Sequence, residues 1–265
     1  MVKRLFLVCG VGLILSFCAV AQQPGQPAKE VPAKSAAPDT ATPTPSVDAI
    51  LNRYLEALGG RAALEKLTSR VTTGTIDVPA MNISGTIEIH EKAPNRILSV
   101  VTISGAAFRQ GFDGFVGWTD DPENGVREQT GAELYEARRG ADFYHPLNLG
   151  KIYSKLNLVG QEKLEDRSVY EVEATPAEGG DPDRLYFDTQ SGLVTRVITV
   201  RHLPQGVSAF REDFEDFRDV DGIKLPFTIH QSGGDSEFTI KLEAVHHNVE
   251  MDDAQFSKPV AKVPE

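Results

Sequence analysis

Alternation of apolar and polar residues is the dominant pattern along most of the chain. Residues 81–90, MNISGTIEIH, place isoleucines on one face and mainly polar side chains on the other, and residues 222–230 and 236–245 repeat this pattern. Because successive side chains of a strand point to opposite faces, the pattern predicts antiparallel strands with one buried and one wet face. About ten or eleven such segments joined by short turns predict a meander that curls towards a barrel.

Residues 46–60 have a helical period instead. Ser46 is a suitable N-cap, Asp48 lies near the positive end of the helix dipole, and Gly59-Gly60 end the run. A short second helix over residues 61–67 is expected to follow. Since this helix pair is amphipathic, it needs an apolar surface to cover.

One further helix is predicted between strands, over residues 130–140. Thr130 and Glu133 have the spacing of a capping box, and Gly140 is placed to end the helix. Pro146 prevents the helix from continuing far. The predicted helix lies between strands in the sequence, a position from which it could cap or close an open barrel.

The stretch FRQGFDGFVGW, residues 108–118, mixes glycines with aromatic residues. It is consistent either with a ligand-binding loop or with a hairpin. Asp113-Gly114 and Asp221-Gly222 are both hairpin signals, and this recurrence favours the hairpin. The glycines are therefore interpreted as turn and bulge residues, namely Gly111, Gly114 and Gly117. Whether the neighbouring aromatic residues fill a core or line a cavity stays open.

The first 21 residues have the pattern of a secretory signal peptide, with a basic start, an apolar run and the ending Ala19-Val20-Ala21. An uncleaved N-terminal anchor and lipidation at Cys18 are the alternatives. Residues 22–45 are rich in proline and alanine and contain no aromatic residue, which predicts a disordered linker. Residues 46–260 then form one β-barrel domain, and the protein is predicted to be exported to the periplasm.

Charge and cysteine content narrow the range of functions. The formal net charge of −11 argues against binding to nucleic acid and against docking on anionic lipid by charge. Both cysteines, Cys9 and Cys18, precede the predicted cleavage site after Ala21. Cleavage there would exclude disulfides and thiolate chemistry from the mature chain, so the domain must be held together by its core.

No residue pattern with a defined chemistry is found. None of the 6 histidines belongs to an HExxH motif, and no GxSxG, dinucleotide-binding or P-loop motif is present. The acidic residues 212–221 do not fit a calcium-binding loop, although a weak ion site there is left open. We therefore predict no catalytic residue, metal site or cofactor, and no enzyme activity. A hydrolase that uses His145 or the acidic strand is an alternative.

Several strings of the chain resemble the LolA/LolB-like family, which comprises periplasmic lipoprotein-localisation factors and their relatives. The early helix ILNRYLEALGGRAALEKLTS and the turn motifs GFDGFVGWTDDP, YFDTQSGLVTRV and DVDGIKLPFTI carry this resemblance. It covers roughly residues 47–259. It implies a mainly β fold, an open and strongly curved antiparallel half-barrel whose concave side is covered by the N-terminal helix pair and the inserted helix.

The resemblance also implies a carrier that binds acyl chains of a lipid or lipoprotein in an apolar cavity. Envelope proteins and transient membrane contact are further expected partners, and nucleic acid is not. The alternative is a non-catalytic accessory module of an envelope complex with a filled core. Ten apolar and aromatic residues are candidates for the cavity wall: Phe108, Phe112, Phe115, Trp118, Leu51, Tyr54, Leu55, Leu58, Leu134 and Tyr135.

Overall fold

The computed structural model describes residues 44–203, 206–233 and 236–260. It also describes the backbone of two short antiparallel strands, β1 (Leu5–Val8) and β2 (Ile14–Phe17). The remainder of the predicted signal peptide and nearly all of the predicted linker lie outside the described residues. Both assignments stay predictions.

Within the described residues, one antiparallel sheet of 13 strands dominates the fold. The strands are β3 (Ser69–Val78), β4 (Ile83–Lys92), β5 (Arg96–Ile103), β6 (Ala106–Phe112), β7 (Gly117–Asp121), β8 (Gly125–Glu128), β9 (Tyr153–Leu164), β10 (Arg167–Pro176), β11 (Asp183–Asp188), β12 (Val194–Leu203), β13 (Gly206–Val220), β14 (Ile223–Gly233) and β15 (Ser236–His247). The sheet order is β8-β7-β6-β5-β4-β3-β15-β14-β13-β12-β11-β10-β9. The predicted mainly β, unclosed fold is confirmed, with more strands than the ten or eleven expected.

The sheet topology explains why a helical segment crosses the sheet. Within this sheet, strands that follow one another in the chain are paired, with one exception: β8 and β9 are not paired but form the two edges. At the centre of the sheet, the first strand, β3, pairs with the last, β15. These two edge strands are consecutive in the chain. Residues 129–152, which connect them, contain α3 (Gly131–Gly140), the 3-10 helix His145–Leu147 and α4 (Leu149–Ile152).

The N-terminal helix pair is also confirmed. Helix α1 (Val47–Leu58) begins after Ser46, whose hydroxyl accepts a hydrogen bond of 3.2 Å from the Ala49 amide. It ends at Gly59, which has a φ of 122°. This glycine also permits a close approach, because a Cβ there would lie 2.1 Å from the Gly222 carbonyl oxygen. Helix α2 (Arg61–Leu64) is shorter than predicted.

The predicted capping box of α3 is wrong. Thr130 is the N-cap residue in extended conformation, but its side chain makes no capping hydrogen bond. Glu133 instead accepts two hydrogen bonds, of 2.7 and 2.8 Å, from Arg127 at the end of β8. A bidentate, charge-assisted contact with arginine is stronger than a capping contact with a backbone amide, so the carboxylate is held towards the sheet.

Two apolar clusters fill the side of the sheet that faces the helices. In the first, Ala137 of α3 packs against a group that includes Ile76 and Val101. In the second, Ile50 of α1 and Leu149 of α4 pack against the same face in the other half of the sheet, formed by β9–β12. The helices are therefore fixed by apolar burial at both ends of the curved sheet.

The glycines of residues 108–118 have two different roles. Gly114 has a φ of 105° and lies in the β6–β7 turn, where the Asp113 carboxylate accepts hydrogen bonds from two turn amides. Gly111 and Gly117 lie inside strands in regular register, opposite Trp118 and Phe112. Their interpretation as bulge residues is wrong, because they are needed for space: a Cβ at Gly111 would lie 2.4 Å from the indole of Trp118.

Replacing Gly111 by alanine is expected to destabilise the protein by about 1–3 kcal/mol, the usual cost of overpacking a filled site. Trp118 cannot move away easily, because it is 1% exposed and its indole nitrogen donates a 2.8 Å hydrogen bond to the Phe256 carbonyl. Urea unfolding followed by circular dichroism measures the effect. Gly160→Ala in β9 is the control, since a Cβ there meets no atom within 4 Å. Equal stability of the two variants would contradict this account.

Candidate functional site

A cavity of about 260 Å³ lies between the concave face of the sheet and the helical segments. Its wall includes Tyr54 and Leu58 of α1 and Leu149 of α4, together with strand residues from both halves of the sheet. Most of the lining residues are apolar. The volume is slightly below the roughly 300–1,000 Å³ of typical small-molecule pockets, so the cavity suits one slim ligand.

The cavity opens to solvent near the turn between β13 and β14. Lys224, at the start of β14, is solvent-exposed and also lines the cavity, as do its half-buried neighbours Leu225 and Pro226. Leu64 of α2 is half-buried and belongs to the same wall. The α1–α2 pair therefore lies beside this exposed part of the cavity wall.

Of the ten predicted cavity residues, the structure places Tyr54 and Leu58 in the lining. Tyr54 also makes an edge-to-face contact with Phe187, at 5.5 Å between ring centroids. Leu51 packs into the same apolar cluster, and Leu55 is half-buried on the same helix. The four predicted residues on α1 thus lie at or beside the cavity.

The aromatic residues of 108–118 lie elsewhere. Phe112 is buried in the apolar cluster that receives α3, and Phe108 packs against that cluster. Trp118 is buried against the C-terminal segment, whereas Phe115 is 85% exposed in the β6–β7 turn. These four residues are not among those that line the cavity. Their role in ligand binding has no support from this arrangement and stays a prediction.

The two candidates on α3 also lie outside the lining. Leu134 packs into the apolar cluster beneath α3, and Tyr135 is half-buried. Two other residues of α3, Glu136 and Arg139, do line the cavity. The helix thus faces the cavity with charged side chains, which the sequence interpretation did not anticipate.

Arg139 belongs to a buried triad with Tyr153 and Asp183. Its guanidinium donates a 2.6 Å hydrogen bond to the Tyr153 hydroxyl and also contacts the Asp183 carboxylate. Tyr153 in turn donates a 2.8 Å hydrogen bond to Asp183. Although burial disfavours its charge, Tyr153 and Asp183 raise the pKa of Arg139, so the guanidinium stays charged. The triad joins α3 to β9 and β11.

A second polar group, which we call the polar wall, consists of Glu136, Arg201, Glu212 and Gln231. Arg201 donates a 3.1 Å hydrogen bond to Glu136 of α3, and Gln231 donates one to Glu212. All four residues line the cavity. Charged side chains are rarely buried unless they are paired. Their presence on the concave face therefore indicates a candidate binding site.

Burial shifts the protonation of two groups at the cavity. It raises the pKa of Glu212 to about 8, against the opposing influence of Arg201 and the hydrogen bond from Gln231. It lowers the pKa of His145 to about 4, and the charge of Arg139 acts in the same direction. At neutral pH both groups are therefore uncharged, and Glu212 carries a proton that it can donate.

A third ion pair lies in the half of the sheet formed by β3–β5. Arg70 makes two hydrogen bonds, of 2.6 and 2.7 Å, with Glu91. Its guanidinium lies 5.9 Å from the ring centroid of Phe143. Both oxygens of Glu91 accept a hydrogen bond from Arg70, whereas Arg201 of the polar wall contacts Glu136 through one nitrogen only.

The sequence does contain a pattern, not used in its interpretation, that places two polar-wall residues on the buried face of their strands. Alternation through β13 places Glu212 on the same face as Phe210 and Phe214, both of which are buried. Alternation through β14 likewise places Gln231 with Ile229, which lines the cavity. A polar residue in phase with buried apolar neighbours indicates a side chain that faces the interior.

Within the described residues, no cluster of His, Cys, Asp or Glu side chains could hold a metal ion. In the same part of the chain, no helix is long and apolar enough to cross a membrane. The geometry instead defines a class of protein: an unclosed antiparallel half-barrel whose concave side and covering helices enclose a cavity.

Comparison with solved structures agrees with this class. A DUF1329 family protein from Desulfovibrio piger matches 81% of this chain and 98% of its own, with 15% identity and a TM-score of 0.55. A LolA superfamily protein from Nitrosomonas europaea matches 81% and 99%, with 14% identity and a TM-score of 0.52. An outer membrane lipoprotein-sorting protein domain from Vibrio parahaemolyticus matches 78% and 97%, with 13% identity and a TM-score of 0.50.

At these identities the similarity shows the fold alone. The chain has a LolA-like fold, and the predicted resemblance is confirmed at that level. No protein-family model matches the sequence, and no curated protein matches it either.

Proposed function

We propose that this protein is a periplasmic, non-catalytic carrier that binds an acyl chain of a lipid or lipoprotein in the cavity. The observation that carries the proposal is the largely apolar cavity of about 260 Å³ beneath the covering helices. The LolA-like fold supports it, since one structural neighbour is a lipoprotein-sorting protein domain. Export rests on the predicted signal peptide.

The energetics of such a carrier require no reactive group. Each methylene removed from water contributes about 0.8 kcal/mol, so a chain of several methylenes is retained by burial alone. Uptake and release need a cover that can move. Helix α2 is a single turn of 4 residues beside the opening, and this short helix is suited to moving aside.

Filling the cavity is expected to abolish lipid binding. Val197 of β12 lines the cavity, so Val197→Trp places a large side chain in the space that an acyl chain would occupy. Native mass spectrometry of protein purified from the cell envelope should show bound lipid in the wild type and at least about a tenfold loss in the variant.

Val159→Trp is the matched control, because Val159 lies on the edge strand β9 and is 58% exposed. It introduces the same side chain away from the cavity and should keep its lipid. Wild-type protein that repeatedly carries no lipid, or equal loading of both variants, would overturn the proposed function.

A further inference from the structure

The polar wall has hydrogen-bonding capacity that the protein leaves unused. Arg201 Nε and Gln231 Oε1 are buried and have no hydrogen-bond partner among the described residues. Gln231 is only 3% exposed, and Glu212 beside it is 5% exposed. An unpaired buried polar atom costs about 1–3 kcal/mol in proteins, so such atoms call for an explanation.

The polar wall lies far from the opening of the cavity. At about 3.3 Å per residue along β14, Gln231 is roughly 23 Å from Lys224. The wall between them is apolar and includes Leu225, Ile229 and Phe214. The cavity thus has an apolar middle and an inner end with an unused polar atom on Arg201, which matches an amphiphile whose headgroup lies at that end.

We propose that the cavity binds a single-chain carboxylic acid whose carboxyl group lies against Arg201, Glu212 and Gln231, with its chain directed towards Lys224. This inference rests on the proposed function and names the ligand class of the same cavity. One carboxyl oxygen accepts a hydrogen bond from Arg201 Nε. The other carboxyl oxygen accepts a hydrogen bond from the protonated carboxyl of Glu212.

The unused donor of a charged guanidinium favours an acid over an uncharged polar headgroup. Arg201 has an acidic partner, Glu136, which it contacts through Nη2. Burial lowers the pKa of Arg201 despite Glu136 and Glu212, so these two carboxyl groups stabilise the guanidinium only in part. A ligand carboxylate would supply the missing stabilisation. Glu212 tolerates this negative charge because it is itself protonated at neutral pH.

The other two arginines of the cavity are not available for this role. Arg70 is held by both oxygens of Glu91. Arg139 is held by Tyr153 and Asp183. Neither residue has a buried side-chain nitrogen without a partner. The unused donor of Arg201 therefore determines where the headgroup binds.

Calorimetric titration of the delipidated full chain with dodecanoic acid and methyl dodecanoate tests the proposal at pH 7. The two probes share one chain, but the ester has no ionisable proton and is bulkier at the head. The acid is expected to bind at least about tenfold more tightly, the value of one charge-assisted hydrogen bond in a buried site. Arg201→Lys keeps a positive charge for Glu136 but removes Nε, and should reduce this preference to about threefold or less.

Lys241→Met is the matched control, since it removes an exposed cation outside the cavity lining and should keep the preference for the acid. A further variant, Lys224→Met, tests whether the cation at the opening holds the headgroup instead. Thermal unfolding checks that each variant is folded. Equal binding of acid and ester to the wild type would refute the inference while leaving an acyl-chain carrier intact. Loss of the preference in Lys224→Met instead would refute it by placing the headgroup at the opening. Binding of neither probe would contradict the proposed function itself.

Discussion

Replacing Asp183 by alanine is expected to destabilise the protein by about 3–5 kcal/mol, because it leaves the charge of Arg139 buried without its carboxylate partner. The side chain of Asp183 is 3% exposed and that of Arg139 is 13% exposed, so the pair is largely shielded from solvent. Tyr153 also loses the acceptor of its hydroxyl proton. Urea unfolding followed by circular dichroism at pH 7 measures the change.

Two controls separate this effect from a general sensitivity to lost ion pairs. Asp253→Ala removes an exposed carboxylate that contacts Lys92 at 2.6 Å, and it should have little effect. In the double variant Arg139→Met with Asp183→Leu, apolar side chains replace the whole pair, which should recover much of the stability. A double variant as unstable as Asp183→Ala would show that the triad acts through shape and not through its charges.

The same experiment bears on how the cavity is covered. The triad joins α3 to β9 and β11, and the contact between Glu136 and Arg201 joins it to β12. On its opposite side, α3 is fixed by burial of Ala137. Because charged contacts depend on geometry more steeply than apolar packing does, the charged side determines how α3 lies over the cavity.

The strands and turns were predictable because their signals are local. Alternation in residues 81–90 and 236–245 corresponds to β4 and β15, and Asp221-Gly222 forms the β13–β14 turn with both residues at positive φ. Helix α1 was predictable for the same reason, since Ser46 and Gly59 act on backbone groups within one turn. Each of these features is decided by residues that are close in sequence.

The features that were missed depend on residues that are distant in sequence. Gly111 is required by Trp118 across a strand pair, and Trp118 is oriented by the Phe256 carbonyl. Arg139 finds Asp183 only once α3 has crossed the sheet. Composition and period specify that a residue is buried or exposed, but not which partner it meets. The partners of the charged cavity residues were therefore not predictable from the sequence, although the strand phase of Glu212 indicated that its side chain faces the interior.

Glu212→Gln is expected to be more stable than the wild type at alkaline pH, by roughly 3–5 kcal/mol. Burial raises the pKa of Glu212 to about 8 in the folded protein, whereas an unfolded glutamate has a pKa of about 4.3. The folded state thus holds a proton that the unfolded state releases. The stability that this carboxyl contributes is fully present below pH 4.3 and decreases as pH rises to about 8.

Glutamine cannot ionise, so the variant lacks this loss while it keeps a side chain of the same size. Other groups near Glu212, including Arg139, Arg201, Asp183 and His145, are common to both proteins, and their titration cancels in the difference. His145 alone would act in the opposite direction, because its lowered pKa of about 4 makes stability fall as pH drops below 6.5.

Free energies of unfolding from urea titrations at pH 4, 6, 8 and 9 test this expectation. The difference between Glu212→Gln and wild type should be small at pH 4, grow by about 1.4 kcal/mol per pH unit and level off above pH 8. Glu243→Gln, on an exposed position of β15, is the control for the same substitution outside the cavity. Parallel pH curves for wild type and Glu212→Gln would mean that Glu212 is ionised in the folded protein. The polar wall would then carry a net negative charge, and a carboxylate ligand would be repelled from it.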